Sequence, residues 1–345
     1  MAGMTQDAYS AAGVSQRDAD SAVAALVRHL ARIDTGKPSR VVPLPGHYAS
    51  VLRLDERTGI AFGTDGVGTK MVLAERLGRF DTIGIDCIAM NVNDLICVGA
   101  EPIAMVDFIL CAEADAETCG AIGEGLRAGA EQAGIEIPGG EIAQVGDIVS
   151  GWELGGSAIG LVELDRIVTG ERIEPGDVLI GLPSSGLHSN GYTLARRVLG
   201  ELPMDDDPGQ LGRPLGDALL EPTTIYVRAV LELLASGTDV RGLAHITGDG
   251  LNNLLRLSDA VGYEIDEPLP VPPVFRLIQE LGGISEAEMH EVFNMGLGFV
   301  CIVPEAGATA AVELLARHHP GSRAIGRVSE APGRIEAPGA TGAPG

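Results

Sequence analysis

Apolar and polar positions follow two alternating periods along the chain. Apolar side chains spaced three and four residues apart predict helices over residues 21–33, 69–77, 81–98 and 115–133. Short apolar runs between these segments predict strands over residues 51–54, 60–63, 103–110 and 152–162. The first half of the chain therefore alternates strands with helices, which is typical of an α/β layered fold.

The same alternation resumes after a charged connection near residue 165. The pattern there predicts strands over residues 177–182, 261–265, 296–303 and 323–328. It predicts helices over residues 191–200, 222–235, 248–257, 271–281 and 305–317. We therefore predict an α/β (α+β) protein with two domains, residues 21–165 and 166–330. Residues 1–20 are expected to form a mobile arm, and the tail 331–345, which has no apolar stripe, to be disordered.

Length and charge narrow the class of protein. A chain of 345 residues is longer than one hydrophobic core usually organises, which agrees with two domains. Its formal net charge of −24 makes nucleic acid and anionic membranes unexpected partners. The cysteines include no C-x-x-C pair, no apolar run approaches the ~20 residues of a membrane span, and the N-terminus resembles no export signal. We expect a soluble, cytoplasmic protein.

The segment GTDGVGTK, residues 63–70, follows a predicted strand and precedes a predicted helix. Glycines let backbone N–H groups converge on an anion, and a helix N-terminus adds positive potential. We therefore predict a phosphate-binding turn with Lys70 and Asp65 as catalytic residues, Lys70 neutralising phosphate oxygens and Asp65 holding Mg²⁺. The predicted nucleotide-binding residues of this segment are Gly63, Thr64, Gly66, Val67, Gly68 and Thr69. The alternative is an ordinary turn in which Asp65 caps the helix.

Two further carboxylates could complete an oxygen-rich metal site with Asp65. Asn91 and Asp94 lie three residues apart on one face of a predicted helix, where burying an unpaired carboxylate would be unfavourable. The sequence PGGE is predicted to be a tight turn that presents Glu141. We predict that Asp65, Asp94 and Glu141 bind Mg²⁺ together with ligand phosphates, and that Asn91 and Gly140 contact the phosphate-bearing ligand. An internal ion pair or a helix cap is the alternative for Asp94.

The segment SSGLHSNGY follows the predicted strand 177–182 and opens a helix. Its hydroxyl, imidazole and amide groups, together with helix N–H groups, suit a phosphate monoester. The predicted substrate-binding residues are Ser185, His188, Ser189 and Asn190, joined by Thr247 from the later turn HITGDG. His245 of that turn is predicted to be catalytic. The alternative for the first segment is a helix start with more caps than it needs.

Taken in order, six segments resemble those of the phosphoribosylformylglycinamidine cyclo-ligase family, also called aminoimidazole ribonucleotide synthetases. These segments are GTDGVGTK, DTIGID with VNDL and GAEP, GGE, SSGLHSNGY, HITG and FNMGLG. The similarity runs from about Tyr9 to about Val328. The resemblance implies an N-terminal mixed-sheet domain whose strands pair across a homodimer, followed by a C-terminal α/β sandwich domain.

The resemblance also implies an enzyme that uses ATP and Mg²⁺ in purine biosynthesis. Its substrate would be a small nucleotide, formylglycinamidine ribonucleotide, which is closed to aminoimidazole ribonucleotide with release of ADP and phosphate. Phosphorylation of the formamide oxygen would create a good leaving group, and the protein would mainly position groups and screen charge. The alternative is another ATP-using enzyme of the same superfamily, such as a thiamine-monophosphate kinase.

Overall fold

The strands of the first half of the chain form a single sheet. The computed structural model describes residues 16–208 and 210–338, with side chains from residue 21 onward. In chain order the first half contains α1 (Gln16–Leu30), β1 (Val41–Val42), β2 (Ser50–Arg53), β3 (Thr58–Gly66), α2 (Lys70–Leu77), α3 (Ile83–Cys97), β4 (Glu101–Cys111), α4 (Ala116–Ala133), β5 (Glu136–Gln144) and β6 (Trp152–Glu163). The sheet has the order β1–β2–β3–β6–β4–β5 and is antiparallel except for the β4–β5 pair.

A second sheet forms the centre of the second half. After a 3₁₀ turn (Leu164–Arg166) the chain continues with β7 (Val178–Pro183), α5 (Tyr192–Leu199), α6 (Leu215–Leu220), α7 (Val227–Ala235), β8 (Gly242–His245), a 3₁₀ helix (Gly250–Arg256), β9 (Gly262–Ile265), α8 (Pro273–Gly282), α9 (Glu286–Val292), β10 (Leu297–Val303), α10 (Glu305–His318), β11 (Arg323–Ser329) and β12 (Ile335–Glu336). Its strand order is β12–β9–β11–β7–β10–β8, and only β12–β9 is parallel. The two sheets with their helices confirm the α/β fold class.

Helix α3 lies where the two halves meet. One side of α3 packs against β3 and β6, and the other side packs against β8 and α7. Because both sides are covered, nearly every residue of α3 is buried, including the polar side chains of Asp86, Asn91 and Asn93. Helix α4 crosses α3 at Gly84 and Gly125, where a Cβ atom on either glycine would overlap the backbone of the other helix. Because α3 lies between the two halves, its buried polar residues are the first candidates for a functional site.

Two predicted helices of the second half differ in the structure, which also contains four elements that the pattern did not predict, α6, β8, α9 and β12. The predicted helix 222–235 begins only at Val227, because the backbone N–H groups of Thr223 and Tyr226 donate to side chains of α3 instead of entering a helix. The predicted helix 248–257 is a 3₁₀ helix over Gly250–Arg256.

Three other predictions also need correction. The sequence PGGE lies within β5 and is not a tight turn, because β5 pairs in parallel with β4 along this stretch. The tail predicted to be disordered is ordered up to residue 338, since β12 extends the second sheet beside β9, and residues 339–345 lie outside the described part. Residues 16–20 of the predicted arm begin α1, whereas residues 1–15 are not described. Within the described ranges, no helix is long and apolar enough to cross a lipid bilayer.

Candidate active site

The glycine-rich segment forms the end of β3 and the turn that leads to α2. Gly63, Thr64 and Gly66 lie in β3, and Val67, Gly68 and Thr69 form the turn. The backbone N–H groups expected to cradle an anion already have acceptors within the protein. Those of Gly66, Val67 and Gly68 donate to the Asp65 carboxylate, the Leu154 carbonyl and the Glu153 carboxylate at 2.7, 2.9 and 3.0 Å. The predicted anion cradle is therefore not formed by these three groups.

Lys70 is fully buried and does not face an open phosphate site. Its Nζ lies 2.7 Å from Oδ2 of Asp86, whose side chain is equally buried. The ammonium also donates to the carbonyls of Glu221 at 2.7 Å and His188 at 3.2 Å. One ion pair and two hydrogen bonds within the protein therefore surround the ammonium. The prediction that Lys70 contacts ATP phosphates is not supported by this geometry.

Asp65 and Asp94 approach each other beside α3, as the sequence predicted. The side-chain amide of Asn91 fixes the backbone of Asp65, since its Oδ1 accepts from the Asp65 N–H at 3.0 Å and its Nδ2 donates to the Asp65 carbonyl at 3.2 Å. Burial, reinforced by the charge of Asp94, raises the pKa of Asp65 to about 6. Two carboxylates whose charges repel in a partly buried position suit a cation between them.

His245 comes from the second half of the chain and holds Asp94. It ends β8, its side chain is fully buried, and its Nδ1 donates to Oδ1 of Asp94 at 2.9 Å. The proton therefore lies on Nδ1, and Nε2 faces the Nδ2 of Asn93 at 3.5 Å. Asp94 remains about one-fifth exposed. The geometry makes His245 a positioning partner of Asp94, which is the partly exposed member of the pair.

Glu141 and Gly140 lie on a different part of the sheet from Asp65. The pairing runs from Asp65 to Gly156, then to Asp107, and then to Gly140, which is three strand spacings or roughly 14 Å. Within residues 16–208 and 210–338, no three His, Cys, Asp or Glu side chains are grouped as ligands of one ion. The structure therefore does not bring the three predicted metal ligands together in one chain.

Glu153 is the carboxylate that the sequence reasoning missed at this site. It lies on β6 and accepts a hydrogen bond from the Gly68 N–H. Burial raises the pKa of Glu153, and the charge of Glu153 in turn raises the pKa of Asp65. Its signal was weak because a single glutamate ahead of an apolar strand is usually solvent-exposed. Only the pairing of β3 with β6 places it beside the glycine-rich turn.

The segment 184–190 lies against α3, and its side chains bond mainly within the protein. Ser185 Oγ donates to the Pro222 carbonyl at 2.5 Å, and Ser189 Oγ donates to Asp86 at 3.2 Å. The ring of His188 accepts backbone N–H bonds from Ser185 and Thr224 at Nε2, at 3.3 and 3.5 Å. The proton of His188 must then lie on Nδ1, which is buried and has no partner among the described residues. Burial also lowers the pKa of His188, so the ring is neutral.

Asn190 and Thr247 lie beside this segment. Among the described residues, the side chain of Asn190 makes only a long contact of 4.0 Å, to the sulfur of Met90. It also lies close to Gly248, one residue after Thr247. The Thr247 N–H donates to Oδ1 of the buried Asn253 at 2.7 Å. Of the predicted substrate residues, Asn190 therefore has the freest polar groups.

Family models match both halves of the chain. One is described as "AIR synthase related protein, N-terminal domain" and matches residues 46–162; the other is described as "AIR synthase related protein, C-terminal domain" and matches residues 174–336. The fold and the site thus define a two-domain AIR synthase related protein.

Individual relatives narrow the family further. The chain is 48% identical over 333 residues to the phosphoribosylformylglycinamidine cyclo-ligase of Thermococcus gammatolerans, covering 95% of this chain and 97% of the relative. It is 46% identical over 340 residues to the enzyme of the same name from Methanothermobacter thermautotrophicus, covering 97% and 98%. The chain belongs to the phosphoribosylformylglycinamidine cyclo-ligase family, which confirms the resemblance seen in its motifs.

More distant solved structures share the fold alone. The hydrogenase maturation protein HypE in complex with ATP matches with a TM-score of 0.60 and 22% identity, over 81% of this chain and 79% of that chain. AaThiL complexed with AMPPCP and TMP matches with a TM-score of 0.61 and 18% identity, over 85% and 88%.

Proposed function

We propose that this protein is an ATP-dependent cyclo-ligase that closes formylglycinamidine ribonucleotide to aminoimidazole ribonucleotide in purine biosynthesis. The observation that carries the proposal is the near-full-length identity of 46–48% to proteins named as this cyclo-ligase. ATP as the phosphoryl donor is supported by the ATP complex of HypE, which shares the fold. The four buried cysteines, all free, are consistent with work in the reducing cytoplasm.

The reaction needs activation of a poor leaving group. The γ-phosphoryl group moves from ATP to the formamide oxygen and ADP is released. An amidine nitrogen then attacks the formyl carbon, the C–O bond breaks, inorganic phosphate leaves and the nitrogen loses a proton. The task of the protein is to align these groups and to screen their negative charge.

Asp65 and Asp94 are the residues that would hold Mg²⁺ in this chain. The raised pKa of Asp65 beside Asp94 indicates a pair of carboxylates that a divalent cation would relieve of its repulsion. The Nδ1–H of His245 orients Asp94 through their 2.9 Å hydrogen bond, as an outer partner of a metal ligand does. When bound, Mg²⁺ would neutralise phosphate charge during the transfer.

The segment 184–190 is the proposed contact for the 5′-phosphate of the nucleotide. His188 is neutral and carries its only proton on an unpartnered Nδ1, so it can donate a hydrogen bond but is not arranged as a base. The Nδ2 of Asn190, which has only its long sulfur contact, is a second available donor. Because Nδ1 is buried, substrate must enter beside the ring for this bond to form.

A homodimer is the proposed assembly. The outer face of the first sheet, which α3 and α4 do not cover, exposes 38–46% of the surface of Phe62, Val106, Phe108 and Leu161. The register places Phe62 beside Ile159 on β6, and Ala104 next, so the apolar row continues across three strands. A sheet face of this kind is usually covered by another protein surface, and a second copy is the commonest choice.

The purified protein should form aminoimidazole ribonucleotide from formylglycinamidine ribonucleotide and MgATP, with one ADP and one phosphate per product. Formation of thiamine diphosphate from thiamine monophosphate instead would favour the kinase alternative.

The variant His188→Ala should raise KM for the nucleotide or lower turnover with little change in thermal stability. A lower melting temperature with unchanged kinetics would show that the segment only caps a helix.

A further inference from the structure

Lys70 and Asp86 form a charged pair that faces only the second half of the chain. Lys70 opens α2 and Asp86 lies in α3, so both belong to the first half. Apart from Asp86, the acceptors of the Lys70 ammonium are the carbonyls of His188 and Glu221. The pair therefore joins the two halves through the backbone of two loops.

The carboxylate of Asp86 binds the same two loops from its other oxygen. Oδ1 accepts from the Thr223 N–H at 2.7 Å, from Thr223 Oγ1 at 2.6 Å and from Ser189 Oγ at 3.2 Å. The hydroxyls of Ser189 and Thr223 also contact each other at 3.0 Å. Residues 188–189 and 221–223 therefore both form hydrogen bonds with one buried ion pair.

The backbone conformation of His188 indicates the effect of these hydrogen bonds. Its φ is +62°, in the left-handed region that non-glycine residues rarely adopt and that costs energy to maintain. The carbonyl of His188 accepts from Lys70, and its ring accepts from Ser185 and Thr224. These contacts hold the residue in an unfavourable conformation and thereby fix the direction of its Nδ1–H.

We propose that Lys70 and Asp86 are positioning residues that hold His188 and its loop in the substrate-binding conformation, and that Lys70 does not contact ATP. The proposal rests on the proposed function for the role of the loop in binding the nucleotide. A buried ion pair is weak evidence for stability alone, since apolar replacements often stabilise a protein as well or better. Its value here is the geometry that it imposes on the two loops.

The test compares the double variant Lys70→Gln/Asp86→Asn and the milder Thr223→Val with a matched control. Thr223→Val removes the hydroxyl donor to Asp86 and keeps the backbone N–H donor. This milder variant is expected to fold even if the double variant does not. The control is Arg241→Gln/Asp177→Asn, which removes another largely buried ion pair, at 3.1 Å, that lies wholly in the second half. Amide hydrogen exchange and the KM values for both substrates are measured for each protein.

The proposal predicts that exchange in residues 185–190 and 221–224 becomes at least about tenfold faster in the double variant, equal to ~1.4 kcal/mol of local opening. Thr223→Val should show a smaller change in the same segments, and the control none there. KM for the nucleotide should rise about tenfold while KM for ATP rises less.

Uniformly faster exchange, or the same local change in the control, would overturn the positioning role. An equal rise in the KM for ATP would show that Lys70 serves the phosphates after all. If the unaltered protein has no cyclo-ligase activity, the exchange comparison still decides whether the pair positions the loop. Failure of the proposed function is therefore distinguishable from failure of this inference.

Discussion

At the scale of single residues, Asp94 is the carboxylate on which the proposed metal site depends. It is partly exposed and is held by His245 from the other half of the chain. Asp94→Asn should preserve the fold but weaken MgATP binding at least about tenfold. His245→Gln should weaken it by roughly 10–100-fold, as loss of a ligand's outer partner does. Calorimetric titration with MgATP measures both.

Glu141→Gln is the matched control for this prediction. Glu141 is exposed on β5 and lies three strands away from Asp65, so its neutralisation should leave MgATP binding nearly unchanged. Weakening as strong as that of Asp94→Asn would contradict the placement of the metal beside α3.

His319 should make the protein sensitive to acid. Its ring lies 4.9 Å from that of Tyr226, and burial lowers the pKa of His319 to about 4 from its ordinary 6.5. Folding favours the neutral ring. Its contribution to the free energy of unfolding is therefore fully present above pH 6.5 and is lost as the pH falls through about 4. His319→Phe should reduce the loss of unfolding free energy over this range by about 1–3 kcal/mol, since one pKa unit is worth about 1.4 kcal/mol.

Urea titrations at several pH values between 4 and 7 check this effect, and His29→Gln is the control. His29 is exposed on α1, so its replacement should leave the acid slope unchanged. An identical slope in His319→Phe and the unaltered protein would show that acid sensitivity arises elsewhere.

At the scale of elements, the crossing of α3 and α4 depends on two glycines. Gly84→Ala should lower the free energy of unfolding by about 1–3 kcal/mol, because its methyl group would overlap the backbone of α4 at Leu126 and the helices would have to separate. Gly123 lies on the exposed side of α4, and a Cβ atom built there has no other atom within 4 Å. Gly123→Ala should therefore stabilise the helix by roughly 0.5–1 kcal/mol. Denaturation midpoints in urea compare them, and equal effects would contradict this packing.

The elements of the chain could be predicted where one residue pattern determines them. Apolar periodicity found the long helices and most buried strands because each presents a stripe or face to a core, but it missed the short buried strand β8. It missed the strand character of PGGE, since β5 is mostly exposed and exists by pairing with β4. It also placed a helix at residue 222, where backbone donors instead satisfy side chains of α3.

The same limit applies to the candidate site. The helical spacing of Asn91 and Asp94 predicted only that they share one helix face; the packing of α3 on β3 brings that helix beside Asp65. No local pattern indicates that Lys70 is enclosed by Asp86 and two loops more than a hundred residues away. Contacts between the halves of a chain follow from tertiary packing, so the sequence around Lys70 resembled an open phosphate site.

At the scale of the whole molecule, the uncovered face of the first sheet should govern assembly. Phe108 lies on this face, on β4 between β5 and β6, and is exposed. Phe108→Asp should convert a dimer into a monomer of 35.7 kDa, because a charge would have to be buried without a partner in the interface. Light scattering at micromolar concentration measures the mass.

Leu281→Asp serves as the control for assembly. Leu281 is also an exposed apolar residue, but it lies on α8 of the second half, away from the first sheet. It should leave the dimer intact. A monomeric unaltered protein would show that the apolar face of the first sheet is not a contact between copies.

The enclosure of Lys70 gives the molecule an internal reporter of separation between its halves. The chain has only two lysines, Lys37 and Lys70; Lys37 is exposed, whereas Lys70 is sealed between α2, α3 and two loops. A reagent that acylates amines would therefore label Lys37 at once and Lys70 only during an opening event. The ratio of the two labelled peptides, followed by mass spectrometry over time, would give the rate at which the halves part and how far each substrate slows it.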